Sequence, residues 1–311
     1  MKVNSMDKCS SVIVTYYPDT TALNSLARIA QLCHKIFIID NTPSNITINF
    51  PNLENATVIR FGDNLGLAKG LNKGIELAGK AGIENIFLFD QDSRVPPHFF
   101  RDMLNFKAEV DSKVSNSALF VPNFFDRNSE TFARFPLITR FTVKHASCDE
   151  IHFGPNDCAI IAITSGSLLR YSTYTELGPF RDDYFIDFID NEYCLRLSKL
   201  GYRIAINCDV TLDHAIGYRS IHRFCGLTIK PNFHSDLRRY YIARNGVRTA
   251  LDYACYYPSY IPLILARMAH EVLSIVLFEN NRSAKLRAML YGLYHGFLGR
   301  MGKCGIIFVE R

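Results

Sequence analysis

Two aspartates stand one residue apart in the stretch IFLFDQDSRV (86–95), directly after a run of apolar residues. Carboxylate oxygens are ligands that Mg²⁺ and Mn²⁺ prefer, commonly one or two of them together with substrate phosphates. Aspartate is also a common turn residue. Taken alone, Asp90 and Asp92 therefore leave two interpretations open, a metal site for a diphosphate group and an acidic turn.

A second acidic group lies in FIDFIDNEYCLR (185–196), where Asp187 and Asp190 come just before a predicted helix. Capping of the helix N-terminus is one interpretation of either aspartate. A carboxylate at a helix start beside a pocket can also accept a proton from a hydroxyl nucleophile. His214 in LDHAIGYRS follows a predicted strand and is either a structural histidine or a group that contacts a metal or a diphosphate.

The glycine-containing segment NLGLAKGLNKG (64–74) lacks both the dinucleotide-binding spacing GxGxxG and the Lys-Ser/Thr of a P-loop. A loop of this kind that enters a helix offers N–H groups to a phosphate, and Lys69 adds a positive charge. The alternative is that Gly66 and Gly70 only permit close packing of the helix on a sheet.

The elements that would position these residues alternate along the first hundred residues. Apolar, β-rich runs predict strands over 11–17, 35–40, 56–61 and 85–90, and helical spacing lies between several of them. Alternation of this kind indicates right-handed βαβ units and a largely parallel sheet, which binds ligands at the carboxyl ends of its strands. Thr15, Tyr16, Asp40 and the Asp90/Asp92 pair all fall at that edge.

The middle of the chain is less regular. Strands are predicted over 117–122 and 158–164, separated by a long irregular stretch, and residues 176–206 run through a turn into a helix and a strand. Nine cysteines are scattered with no CxxC pair, which favours thiols in a reducing compartment over a disulfide scaffold or a zinc site. The N-terminus has too short an apolar run for a signal peptide, so we expect a cytosolic protein.

Charge divides the chain unevenly. Residues 216–311 hold 14 Lys/Arg and 5 Asp/Glu (net +9), which leaves 21 and 25 (net −4) for residues 1–215. A basic segment suits an anionic surface, either lipid or nucleic acid. RRYYIARNGVR (238–248) mixes arginine with aromatic residues, as RNA-binding segments do, but no RNP-type motif accompanies it.

Beyond residue 235 the sequence predicts helices. Residues 257–278 are the most apolar segment, interrupted by Arg267, His270 and Glu271. The uninterrupted run is shorter than a bilayer span, so we expect a buried or interfacial helix.

Seven motifs in this order resemble the inverting glycosyltransferases of family 2, over about residues 10–250. They are VIVTYYP, IIDNTPSN, DNLGLAKGLNKGIELA, FLFDQDS, TSGSLL with ELGPF and YFIDFIDNEYCLRLSKLGY, LDHAIG and RRYYIARNGV. The chain resembles most the rhamnosyltransferases that build bacterial O-antigen polysaccharide. The resemblance implies an α/β GT-A fold with a mostly parallel, doubly wound sheet, comprising a catalytic domain (1–235) and a helical C-terminal extension (236–311).

The resemblance also assigns roles by motif. Thr15, Tyr16 and Asp40 would bracket the nucleobase, Asn64 and Lys69 would line the nucleotide pocket, and Asp90 would lie near the ribose and the metal. Asp92 would ligate Mg²⁺ or Mn²⁺, His214 would contact the metal or the diphosphate, and Asp190 would be the catalytic base. Ile189 stands where the family more commonly has Glu before this Asp, as in the rhamnosyl-like branch.

The implied reaction moves a sugar, L-rhamnose from dTDP-L-rhamnose, onto a lipid-linked glycan in O-antigen and lipopolysaccharide biosynthesis. The basic helical end would dock peripherally on the inner face of the cell membrane, and nucleic acid would not be a partner. Three alternatives remain at this point: another nucleotide sugar (galactose, mannose or N-acetylglucosamine), a non-catalytic nucleotide-binding subunit of a polysaccharide-assembly complex, and an RNA-binding protein led by the basic end.

Overall fold

A computed structural model of the chain describes residues 8–126, 131–151, 153–154, 158–214, 222–224, 227–229 and 231–306. Its first part follows the predicted alternation of strands and helices. The elements in chain order are β1 (Cys9–Thr15), α1 (Thr20–Leu32), β2 (Lys35–Pro43), β3 (Ala56–Gly62), α2 (Leu67–Lys80), β4 (Asn85–Asp90) and α3 (Phe99–Lys113). The strands β4, β1, β2 and β3 lie side by side and parallel, which confirms the predicted arrangement.

The irregular stretch contains short elements rather than an open loop. After β5 (Ser117–Asp126) come β6 (Thr131–Phe132), β7 (Phe135–Ile138), β8 (Val143–Ala146), α4 (Cys148–Ile151) and β9 (Ala159–Ile160). The strand predicted over 158–164 is wrong in extent, since it is only two residues long. It pairs with β7 in a small three-stranded sheet with β8 and does not enter the central sheet.

The remaining strands complete the central sheet. The elements are β10 (Leu168–Arg170), α5 (Tyr171–Leu177), one turn of 3₁₀ helix (Asp182–Tyr184), α6 (Ile189–Lys199), β11 (Arg203–His214), β12 (His222–Phe224) and β13 (Leu227–Ile229). The sheet order is β11-β5-β10-β4-β1-β2-β3, with β10 antiparallel to both of its neighbours. The sheet is therefore mostly parallel, and β10, which the sequence pattern does not predict, joins its two parallel halves.

Three long helices follow, as predicted: α7 (Asp236–Tyr253), α8 (Tyr260–Phe278) and α9 (Arg282–Leu298). By length and composition α8 is long and apolar enough to cross a membrane, and only 28% of its most apolar window is buried. The expectation of a buried or interfacial helix stays a prediction. A buried ion pair between Glu271 of α8 and Arg239 of α7 nevertheless attaches α8 to the rest of the protein.

The expectation of thiols without disulfides is wrong for one pair of cysteines. Cys148 in α4 and Cys208 in β11 form a disulfide, with their Cα atoms 5.6 Å apart and 60 residues between them in sequence. The two meet because α4 packs on β11, and sequence spacing alone does not reveal such a pairing. The other described cysteines form no second disulfide.

Candidate active site

The carboxyl ends of β1 and β2 are joined through Asp40, which is only 2% exposed. Its Oδ1 accepts hydrogen bonds from Thr15 Oγ1 (3.0 Å), Thr42 Oγ1 (2.7 Å) and the Thr42 N–H (3.1 Å). Burial with several donors on one oxygen is typical of a carboxylate that organises its surroundings. Thr15 and Asp40 are thus brought together as predicted, and the structure adds Thr42 to them.

Tyr16 lies at the same edge and is exposed. Its backbone N–H donates to Gln91 Oε1 at 2.9 Å, and Gln91 is the residue between the two aspartates of the DQD motif. The end of β1 is thereby attached to the loop after β4. The phenol ring of Tyr16 packs edge-on against that of Tyr17, at a centroid distance of 4.5 Å.

Asp90 ends β4, and Asp92 is exposed in the loop that follows. That loop is fixed by a hydrogen bond between the hydroxyls of Ser93 and Ser165 at 2.9 Å. An isolated bridge from Arg94 to Asp213 brings the end of β11 beside it. His214 follows as the last residue of β11, so its backbone lies near the DQD loop, whereas its side chain is outside the described residues.

The described residues contain no group of three or more His, Cys, Asp or Glu side chains positioned to hold a metal. An exposed aspartate at the mouth of a parallel sheet still fits a cation that takes most of its ligands from water and a diphosphate, as Mg²⁺ does. The arrangement therefore suits a metal that arrives with a phosphorylated substrate better than a closed protein site.

Three N–H groups of the glycine-containing loop bind protein oxygens, so these three are not free for a phosphate. The Gly66 N–H donates to Asn64 Oδ1 (3.0 Å), the Leu65 N–H to Asn41 Oδ1 (3.2 Å) and the Leu67 N–H to the Phe185 carbonyl (2.6 Å). Close packing explains both glycines. A Cβ on Gly66, whose φ is +95°, would stand 2.7 Å from the Phe185 carbonyl oxygen, and one on Gly70 would stand 2.7 Å from Val14.

Lys69 is exposed in the first turn of α2. It lines a surface cavity of about 270 Å³ with Phe61, Asn72, Lys73, Glu76 and Asp182. The amide of Asn72 also fixes the segment behind that cavity, since it exchanges hydrogen bonds with the backbone of Phe180 at 2.8 and 2.9 Å.

Asp190 is the second residue of α6 and is not its N-cap, a position occupied by Phe188 in the left-handed conformation. Its carboxylate accepts the N–H of Asn191 at 2.8 Å. Burial raises the pKa of Asp190 to about 6; the Asn191 N–H lowers it, Asp187 raises it, and the guanidinium of Arg267 lowers it. A carboxyl group with this pKa is ionised near neutral pH and is still basic enough to take a proton.

Asp187 is no cap either, because it pairs with Arg238 of α7 at 3.0 Å. Burial lowers the pKa of Arg238, but the carboxylates of Asp187 and then Asp90 outweigh it and raise that pKa. Arg238 is therefore a cation that pairs with the loop before α6 and is also under the influence of the Asp90 carboxylate. Sequence reasoning gave this arginine no role in the site.

The loop before α6 has an unusual backbone. Phe185, Asp187 and Phe188 all have positive φ (66°, 63° and 63°), a conformation that costs roughly 1–3 kcal/mol for each residue other than glycine. Asn245 of α7 holds the loop by donating to the carbonyls of Tyr184, Ile186 and Asp187 at 2.8–3.0 Å.

The next residue back along α7, Arg244, adds bonds from its Nη2 to the carbonyls of Asp183 and Tyr184, both at 3.0 Å. Arg244 and Arg239 are fully buried, and Arg238 is paired. Two of the three arginines of RRYYIARN are therefore internal, and the exposed Arg238 is paired with Asp187, which argues against the RNA-binding alternative. The sequence showed arginine and asparagine side by side on a predicted helix, but it did not show that these side chains are buried.

Comparison with known proteins decides the family. The family model described as "Glycosyl transferase family group 2" matches residues 85–269, which is more than half of the chain. The chain belongs to this family. It is also 27% identical over 303 residues to the dTDP-rhamnosyl transferase RfbF of Shigella flexneri, covering 94% of this chain and 96% of the relative.

Solved structures agree on the architecture. The chain is similar to the crystal structure of S. aureus TarS 1–349, with a TM-score of 0.56 at 12% identity over 94% of this chain and 82% of the other. The same TarS fragment in complex with UDP-GlcNAc gives a TM-score of 0.55 at 12% identity, over 93% and 81%. The fold of this glycosyltransferase is GT-A, as the sequence motifs led us to expect.

Proposed function

We propose that this glycosyltransferase moves L-rhamnose from dTDP-L-rhamnose onto a lipid-linked glycan acceptor, with inversion at the anomeric carbon. The observation that carries the proposal is the ion pair of 3.0 Å between Arg238 and Asp187, which fixes the loop directly before Asp190. Burial and then Asp187 raise the pKa of Asp190 to about 6, and Asp187 and then Asp90 raise the pKa of Arg238 against the effect of burial. These interactions support the proposal that the base and the donor-binding edge of the sheet belong to one site.

Inversion requires a single displacement. Asp190 accepts the proton of the acceptor hydroxyl as its oxygen attacks the anomeric carbon, and the bond from that carbon to the nucleoside diphosphate breaks with its electrons on the diphosphate. A positioned base contributes about 10²–10⁴-fold to such a step. Arg238 would attract the anionic donor while its ion pair neutralises Asp187.

The exposed Tyr16 and the buried Thr15–Asp40 pair form the part of the edge proposed to receive the nucleobase. Asn64 and Lys69 would line the nucleotide pocket, and Asp90 would face the ribose. Asp92 would hold Mg²⁺ or Mn²⁺, with His214 as a further contact. The metal would neutralise charge on the departing diphosphate.

The choice of donor rests on the relative whose name states a dTDP-rhamnosyl transferase. A transferase for galactose, mannose or N-acetylglucosamine is the second candidate, favoured by the likeness to a fold solved with UDP-GlcNAc. We further propose that the protein works on the cytoplasmic side of the cell membrane in O-antigen and lipopolysaccharide biosynthesis, because a lipid-linked acceptor would be presented there.

The test is a panel of nucleotide sugars given to the purified chain with a lipid-linked acceptor extract and Mg²⁺ or Mn²⁺, with products detected by mass spectrometry. We expect addition of a deoxyhexose from dTDP-L-rhamnose, and loss of about a thousand-fold in rate for Asp190→Asn with donor binding unchanged. Transfer of another sugar would move the assignment to the second candidate. Wild-type rates in Asp190→Asn would show that the base is misassigned.

A further inference from the structure

Exposed apolar side chains cover one face of α9. They are Leu290, Tyr291, Tyr294, Phe297 and Leu298, and the most exposed are Phe297 (70%) and Leu290 (64%). Residues three and four apart lie on the same side of a helix, so these five form one strip about 12 Å long. We call it the α9 strip.

The other side of α9 is packed against α7. A Cβ on Gly292 would stand 2.4 Å from the carbonyl oxygen of Tyr240, and one on Gly296 would stand 2.4 Å from that of Arg244. The two helices therefore touch backbone to backbone, which fixes the rotation of α9. The α9 strip must face away from the protein, where no described element covers it.

The outward charges that α8 and α9 themselves contribute beside the strip are positive. Arg287 precedes Leu290 by three residues, and the guanidinium of Arg300 lies 5.8 Å from the centre of the Tyr294 ring. Residues 260–306 contain only two acidic residues, Glu271 and Glu279, and both are buried in ion pairs with Arg239. The described outer surface of α8 and α9 thus offers apolar and cationic groups without a carboxylate.

We propose that the α9 strip lies in the interfacial layer of an anionic lipid bilayer. Apolar and aromatic side chains enter the boundary between headgroups and acyl chains, tyrosine keeps its hydroxyl at the headgroup level, and arginines at both ends of the strip meet lipid phosphates. The exposed apolar residues of α8, with Leu265 at 63%, add to this surface. The inference rests on the proposed function and deepens it, because it names the surface that would bring the enzyme to a lipid-linked acceptor.

A second copy of the chain is the rival occupant of the strip. A twofold dimer sets the same patch against itself, so the arginines that flank the strip would meet like charges across the interface. An anionic bilayer meets the same arginines with opposite charge. The charge pattern therefore favours lipid.

The test is sedimentation of the full chain with vesicles of phosphatidylcholine alone or mixed with phosphatidylglycerol, at low and high salt. We expect binding to the anionic vesicles and release by salt.

Leu290→Glu should weaken vesicle partitioning at least roughly ten-fold. Leu200, at the end of α6, has a similar exposure (55%), and Leu200→Glu should leave the partitioning unchanged. Replacing either Arg287 or Arg300 with glutamine should weaken vesicle partitioning about five-fold, which is equivalent to about 1 kcal/mol of binding free energy. Arg101→Gln on α3 is the matched control.

Circular dichroism and the melting temperature establish that each variant is folded before it is compared. Equal partitioning of Leu290→Glu and Leu200→Glu would overturn the proposal. The proposal would also be overturned if analytical ultracentrifugation showed a dimer that Leu290→Glu dissociates, while vesicle binding stayed unchanged. Because sedimentation needs neither donor nor acceptor, a chain that binds vesicles through the strip and transfers no sugar would refute the proposed function alone.

Discussion

The ionised form of Asp190 is disfavoured by burial and by Asp187, and this sets the expected pH dependence of transfer. A base must be deprotonated to act, so its activity is present above its pKa and lost below it. We expect the rate of sugar transfer at low acceptor concentration to fall about ten-fold per pH unit below about pH 6. A pH–rate profile measures this. A rate that stays level down to about pH 5 would mean that Asp190 is not the titrating base.

The same carboxylate should lower the stability of the fold at neutral pH. Its folded pKa of about 6 lies above the unfolded value near 3.9, so the folded state binds the proton more tightly, and stability falls as pH rises between these values. Asp190→Asn removes that cost and should raise the free energy of unfolding by about 3 kcal/mol near pH 8, with little change near pH 4. Urea unfolding at both pH values tests this. A variant destabilised at pH 8 would contradict it.

Asp92 is exposed in the loop after β4, and we propose it as a ligand to a metal that arrives with the donor. We expect Asp92→Ala to weaken donor binding at least roughly ten-fold when Mg²⁺ or Mn²⁺ is present and to change it little in EDTA. Isothermal titration with and without metal measures the difference. Asp102→Ala, at an exposed aspartate on α3, serves as the control. Equal weakening with and without metal would assign Asp92 to direct contact with the donor instead.

The positions of single site residues could be predicted from the sequence where these residues follow a predicted strand. Thr15, Asp40 and the DQD motif follow apolar runs, and parallel strands bring their ends to one edge. Gln91 and Thr42 were not predictable, because a hydrogen bond between neighbouring loops depends on their relative position in space. For the glycine loop, the sequence could not decide between phosphate binding and close packing, because a free N–H and a bonded one look the same in a sequence.

At the scale of elements, α7 holds the loop that sets the position of α6. Three residues of that loop have positive φ, and Asn245 donates to three of its carbonyls from a fully buried position. The sequence predicts α7 by its helical pattern, but it does not reveal that the polar face of the helix points inward. Polar residues on a helix are ordinarily assigned to the solvent face. In α7 the polar residues face inward instead, because they bind the backbone carbonyls of the loop before α6.

Asn245→Asp keeps the shape of the side chain and removes the donor that the three carbonyls share. We expect a fall in the turnover number of at least about ten-fold with the Michaelis constant for the donor nearly unchanged, because the loop that positions Asp190 loosens while the donor edge remains intact. Asn245→Asp also adds a negative charge, and Asn191→Asp on α6 adds the same charge as a comparison. The side-chain amide of Asn191 donates a hydrogen bond to the Tyr260 hydroxyl. A change confined to the Michaelis constant would rule out this positioning role.

At the scale of the whole molecule, buried ion pairs join the three C-terminal helices to one another. Arg239 of α7 pairs with Glu271 of α8 and with Glu279, which also bonds Lys285 of α9 at 2.8 Å. The net charge of the back part of the chain correctly marked it as basic, but Arg239, Arg244 and Lys285 are internal. The boundary near residue 235 stays a prediction, and α7 beyond it supplies contacts to the loop before α6.

We expect the loss of a buried ion pair to lower the free energy of unfolding more than the loss of a surface ion pair does. Glu279→Gln leaves Arg239 and Lys285 without the carboxylate that they share, in a position that water does not reach. Breaking a buried pair in this way costs about 3–5 kcal/mol. Glu109→Gln breaks the exposed pair with Lys113 on α3 and should cost less than about 1 kcal/mol. Urea unfolding of both variants gives the comparison. Similar losses in the two would mean that the C-terminal helices hold together by apolar packing alone, and that their charges matter only at the outer surface.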